Sequence, residues 1–210
     1  MGFFDGTMRL FYSFLLLFVI SAHSQEQAVS ELKDGKMTYG IGLGFVVSPG
    51  YHDFLNDYGD LEWGGYGWLN LNAEARYHLN QRISFSLAYD NMMNFVFDNG
   101  YGEDFYNNLS VPSLNVRFNF TEAERSPFAE LGVGLPIPFT TASADVVDPK
   151  NNGPSLRAIL GLPFGQSWEF TAGYHYIPVE VTYESDDWWS DQQTEDYDWG
   201  GIRLNFQYKF

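Results

Sequence analysis

The chain has 210 residues and no cysteine, and carries 27 Asp and Glu against 11 Lys and Arg, a formal charge of −16. Without thiols there is neither a disulfide framework nor a lipoprotein acylation site. The acidic balance argues against nucleic-acid binding through phosphates, which needs clustered bases.

At the N-terminus Arg9 precedes an apolar run from Leu10 to Ile20, and small residues at Ala22 and Ser24 precede Gln25. A spanning helix needs ~20 apolar residues, and this run is too short. Residues 1–24 therefore predict a signal peptide removed on export, 25–37 a short periplasmic tail and 38–210 a single barrel domain.

From Thr38 onward the apolar residues follow a period of two, the signature of strands with two unlike faces. Thr38–Ser48 sends Tyr39, Ile41, Leu43, Phe45 and Val47 outward and Gly40, Gly42 and Gly44 inward. Tyr66–Leu79 has Leu69, Leu71, Ala73, Ala75 and Tyr77 outward, against Asn70, Asn72, Glu74, Arg76 and His78. Segments at about 82–97, 109–120, 127–136 and 154–164 follow the same rule. The seventh, Trp168–Tyr183, exposes Trp168, Phe170, Ala172, Tyr174 and Tyr176; near Pro178 its phase is expected to slip through a β-bulge that puts Val179 and Val181 on the apolar side. The last, Gly201–Phe210, sets Ile202, Leu204, Phe206, Tyr208 and Phe210 against Arg203, Asn205, Gln207 and Lys209. On this phase Leu71→Arg should destabilise the protein and Asn72→Ser should be nearly neutral.

The connections alternate between short turns (80–81, 121–126, 165–167) and four long segments, 49–65, 98–108, 137–153 and 184–198. The long segments hold sixteen of the acids against one base, Lys150. The charge thus belongs to the loops, expected on one exterior side of the barrel.

A soluble β-sandwich also has alternating strands, but its apolar faces meet each other. Here Glu and Arg share the opposite face of the strands, and the apolar face is simplest to place in lipid. The expected fold is all-β, an eight-stranded antiparallel up-and-down transmembrane β-barrel, which satisfies every backbone polar group in hydrocarbon.

On the strand pattern and the terminal signal Ile202, Leu204, Phe206, Tyr208 and Phe210, the chain resembles the small outer-membrane barrel proteins of the OmpX, OmpW and OmpA-barrel type. The resemblance implies a location in the Gram-negative outer membrane, recognition by the barrel-assembly machinery, and outer-membrane lipids and lipopolysaccharide as neighbours, with a monomer expected.

An eight-stranded lumen is just wide enough for side chains to fill it. The inward positions carry Glu74, Arg76, Arg117, Glu130, Arg157, Glu169 and Arg203, arranged to pair across neighbouring strands. This charge set is expected to act as a structural plug, with gating of a narrow conduit as the alternative. The empty inner face of the first strand predicts size complementarity with long side chains on strands two and eight, or a small cavity.

Catalysis is not expected. His52, His78 and His175 form no Ser/His/acid arrangement with usable spacing of the kind found in lipid-A-modifying barrels. No cofactor is expected. The acidic loop 184–198 could hold a divalent cation, but lacks EF-hand spacing. Trp188 and Trp189, flanked by Asp186, Asp187 and Asp191, are the candidate surface recognition site, whereas Trp63, Tyr66, Trp68, Tyr197 and Trp199 read as girdle anchors. The function expected is structural or surface-interacting, with an OmpW-like conduit for small molecules, apolar ones included, as the alternative.

Overall fold

The computed structural model describes residues 35–58, 67–96, 105–122, 126–140, 147–183 and 193–210. Among the described residues the strands are β1 (Met37–Val47), β2 (Gly67–His78), β3 (Ile83–Val96), β4 (Phe105–Asn119), β5 (Phe128–Gly134), β6 (Ile137–Thr140), β7 (Val147–Asn151), β8 (Ser155–Phe164), β9 (Trp168–Tyr176), β10 (Pro178–Tyr183), β11 (Gln193–Asp198) and β12 (Gly201–Lys209), with one helix, α1 (Pro49–Tyr58).

Sequence neighbours pair antiparallel in the order β3-β2-β1-β12-β9-β8-β5-β4, and a β3–β4 ladder closes the ring. β1 and β12 join the two ends of the chain in a register from Gly40↔Lys209 to Val47↔Ile202. The wall is a closed eight-stranded barrel, so no hydrogen-bonding edge of the ring meets hydrocarbon. β6 continues β5 along β4, while β7, β10 and β11 form a three-stranded sheet that extends β8, β9 and β12 beyond the ring.

Leu87, Leu114, Leu131, Leu160, Ile202 and Phe206 are among the exposed outward residues. The residues between them in sequence turn inward and are buried, as the period of two requires. At the end of the barrel where β12 finishes, Phe164, Trp168, Phe170, Phe206 and Tyr208 form an outer aromatic cluster with ring centroids 5.0–6.4 Å apart. Aromatic girdles of this kind sit at membrane interfaces. The turns at this end are short. Asn80 Oδ1 accepts the Arg82 and Ile83 amides at 2.8 Å, and Gly165 takes φ +60° in the β8–β9 turn, a conformation that favours glycine.

Three expectations about the other end need correction. The segment 49–65 is not all loop: its first part is α1, whose Tyr51, Phe54 and Leu55 are buried. The loops expected at 98–108, 137–153 and 184–198 also give up residues to β4, β6, β7 and β11. There is no phase slip at Pro178. Ile177, Val179 and Val181 stay in step with Glu169, Thr171 and His175, and all six are buried. What changes there is the chemistry of the inner face, which turns from polar to apolar.

Candidate functional site

The interior divides into two halves. The outer half is an apolar cluster in which Val46, Trp68, Met92, Leu109, Val111, Ile177, Val179 and Trp199 surround the buried side chains of α1. Tyr51, Phe54 and Leu55 recur at i, i+3 and i+4, so one face of the helix meets the cluster. Ser48 caps the helix, its hydroxyl accepting the Tyr51 amide at 3.2 Å. The Tyr51 ring lies 4.2 Å from Trp68 and 5.2 Å from Trp199, and Phe54 lies 5.4 Å from Trp199. Asn107 Nδ2 donates to the Tyr51 hydroxyl at 2.6 Å, and burial pushes the phenol's pKa well up, keeping it neutral. Tyr51→Phe should cost about 1 kcal/mol by stranding the Asn107 amide, read as earlier proteolysis at α1 before the barrel unfolds.

This geometry corrects the expected girdle role of Trp68, Tyr197 and Trp199. All three point inward and are buried, because their positions fall on the inner phase of β2, β11 and the approach to β12. Trp63 and Tyr66 lie outside the described residues.

The inner half is a ladder of charges. Arg76 Nη2 meets Glu74 Oε2 at 2.6 Å and Glu130 Oε2 at 3.5 Å. Arg117 pairs with Glu169 at 2.7 and 2.8 Å through both terminal nitrogens, and its guanidinium carbon lies 3.3 Å over the Phe128 ring. Arg157 reaches Glu130 at 2.7 Å and Asp90 at 2.9 Å, and Arg203 reaches Asp90 at 2.7 Å. Lys209 pairs with Glu169 at the other end. The structure thus brings together Glu74, Arg76, Arg117, Glu130, Arg157, Glu169 and Arg203, all of them buried. In a low-dielectric interior such groups are tolerated only when paired and hydrogen-bonded.

Asp90, fully buried, is the member that sequence reasoning missed. It lies in the same phase as Ser84, Ser86 and Ala88, so the signal was present on β3. Asn70 and Asn72 also donate to its Oδ1, at 3.2 and 3.1 Å. The Asn72 contact changes one expectation: Asn72→Ser should now cost about 1 kcal/mol rather than nothing, measurable by urea unfolding in lipid vesicles.

The glycine face of β1 is filled from β12. A Cβ at Gly42 would come within 2.8 Å of Asn205 Nδ2, and one at Gly40 would collide with the Gln207 amide. Size complementarity therefore explains these glycines, with the closing strand β12 as the partner. Gln207 Nε2 in turn donates to Glu74 Oε2 at 2.8 Å.

The histidines do not converge. His78 Nε2 lies 3.0 Å from Thr38 Oγ1, His52 is on α1, and His175 does not meet Glu169, whose carboxylate is taken by Arg117 and Lys209. Among the described residues no cluster of His, Asp and Glu could hold a metal ion. Trp188, Trp189, Asp186, Asp187 and Asp191 lie outside the described residues. Ile202, Leu204 and Phe206 of the terminal signal face outward and are exposed.

A closed eight-stranded antiparallel barrel, apolar outside and polar inside, is the architecture of the small outer-membrane barrel proteins. One solved structure agrees in fold, and two others are similar at lower scores. OprG, an outer membrane protein of Pseudomonas aeruginosa, matches with a TM-score of 0.56 at 13% identity, over 85% of this chain and 97% of that one. The attachment invasion locus protein Ail of Yersinia pestis, solved with the heparin analogue sucrose octasulfate, matches at 0.44 and 14% identity over 85% of this chain and 100% of its own. Outer membrane protein W of E. coli matches at 0.43 and 14% identity, over 86% of this chain and 100% of its own. No protein-family description and no curated relative matches the chain.

Proposed function

We propose that this chain is an integral, non-enzymatic protein of the bacterial outer membrane, exported by its leader, whose barrel is closed to bulk solutes. Its role is structural or surface-interacting, exerted through the acidic outer segments, with lipopolysaccharide and outer-membrane lipid as its surroundings. The observation that carries this reading is the burial of inward side chains at both levels: the ladder arginines are 2–5% exposed and the α1 anchors at most 1%. Single-channel recording of the refolded barrel in planar bilayers tests it. A closed barrel gives no discrete openings in either the parent protein or Arg117→Ala, although the variant melts earlier. Reproducible openings in the parent would refute closure.

One observation favours a second reading, a narrow conduit that passes small apolar molecules sideways into the membrane. β6 and β7 lie side by side, yet no backbone ladder joins them among the described residues. Pro138 in β6 and Pro149 in β7 cannot donate to one. The strands that flank this seam, β4 and β10, carry Leu109, Val111, Val179 and Val181 of the apolar cluster. Uptake of an apolar fluorophore into vesicles distinguishes the two readings, since lateral passage leaves bilayer conductance silent but gives protein-dependent uptake.

A further inference from the structure

We propose that the barrel interior contains a site for a small monovalent anion, a halide, where the apolar half meets the charge ladder, between Arg157, Arg203, His175, Trp68 and Trp199. The indole nitrogens of Trp68 and Trp199, Nε of Arg157, Nε and Nη1 of Arg203 and both ring nitrogens of His175 have no hydrogen-bond partner among the described residues. All five residues are 0–5% exposed.

The topology gathers them. His175 stands opposite Arg157 on β8 and Gly201 on β12, and Arg203 is two residues further along β12 on the same face. The Trp199 amide donates to the Ile177 carbonyl at 2.9 Å, which sets Trp199 beside the strand of His175. The Trp68 ring lies 5.6 Å from that of Trp199.

The chemistry of the indoles and guanidiniums is one-sided. Indole and guanidinium nitrogens only donate. Asp90 already accepts from Asn70, Asn72 and Arg203 at one oxygen and from Arg157 at the other. Arg203 turns to Asp90, while Arg157 also pairs with Glu130, a carboxylate that Arg76 and Arg117 approach as well. Among the described residues the ladder sets five cationic side chains against four carboxylates, which favours an anion over a cation. A halide accepts several N–H groups at once, supplies negative charge and needs no room beyond its own radius. The inference is independent of whether the barrel conducts.

The test uses the refolded barrel in detergent at constant ionic strength, with bromide replacing gluconate. The expected result is a saturable rise in unfolding temperature with bromide, reduced at least by half in Trp199→Phe, which keeps the ring and removes the N–H. His175→Leu should reduce it as well, and if that variant does not fold Trp199→Phe decides alone. An anomalous bromide peak between Arg203 and Trp199 in crystals would support the site directly. Equal unfolding temperatures in bromide and gluconate, an undiminished rise in Trp199→Phe, or bromide peaks only outside the lumen would overturn it.

Discussion

Replacing Asp90 by alanine should cost about 3–5 kcal/mol, the penalty expected when one partner of a buried ion pair is removed. The side chain has no exposed surface and is shared by Arg157 and Arg203. Among the described residues its loss leaves Arg203 with no anionic partner and Arg157 with Glu130 alone. It also releases the Asn70 and Asn72 amides that donate to it. Urea unfolding in lipid vesicles, followed by tryptophan fluorescence, gives the number. Glu122→Ala is the internal control, because its pair with Arg82 is 62% and 61% exposed. An exposed pair contributes about 0–1 kcal/mol. Equal costs at the two sites would mean that the ladder is solvated.

Leu160→Arg should cost about 2–4 kcal/mol in a bilayer, the range for a cation on the lipid face near the midplane. Leu160 is 62% exposed and central in β8, with Leu156 and Leu162 exposed on the same face. Phe139→Arg, on the outer extension β6, should cost about 0–1 kcal/mol, since the penalty falls toward the interface. The same unfolding assay in vesicles reads both. In detergent micelles the difference should shrink, because the midplane is no longer fixed. Similar costs in vesicles would place β8 outside the hydrocarbon.

The eight ring strands were legible because a one-sided strand repeats every two residues, and Leu204 against Arg203 is enough to assign faces. The arginines and glutamates of the ladder followed from that phase alone. Legibility failed where both faces of a strand are apolar. Beyond His175 the alternation of Tyr176, Ile177, Val179 and Val181 no longer says which face is inside, and what reads as a bulge is a strand that simply continues. Residue type alone places Trp68 and Trp199 at the membrane surface, although their phase puts them inside. Helix α1 was hidden by composition: Pro49, Gly50, Asp53 and Asn56 read as loop. Its apolar residues Tyr51, Phe54 and Leu55 carry a helical spacing whose meaning depends on the aromatic rings that receive them. The candidate pair Trp188–Trp189 gains no position from the fold.

The ladder joins parts of the chain that are far apart in sequence. Arg203, Gln207 and Lys209, all on the final strand, contact Asp90, Glu74 and Glu169. Until β12 docks between β9 and β1, those three carboxylates lack those contacts, and the sheet is open along the edge that would expose them. Non-local contacts of this kind are rewarded only after loop closure has been paid for in entropy. Assembly should therefore be slow and nearly all-or-none at its last step: the closing strand completes the wall and neutralises the interior together, and a nascent barrel that stalls before that step stays open, charged and marked as unfinished.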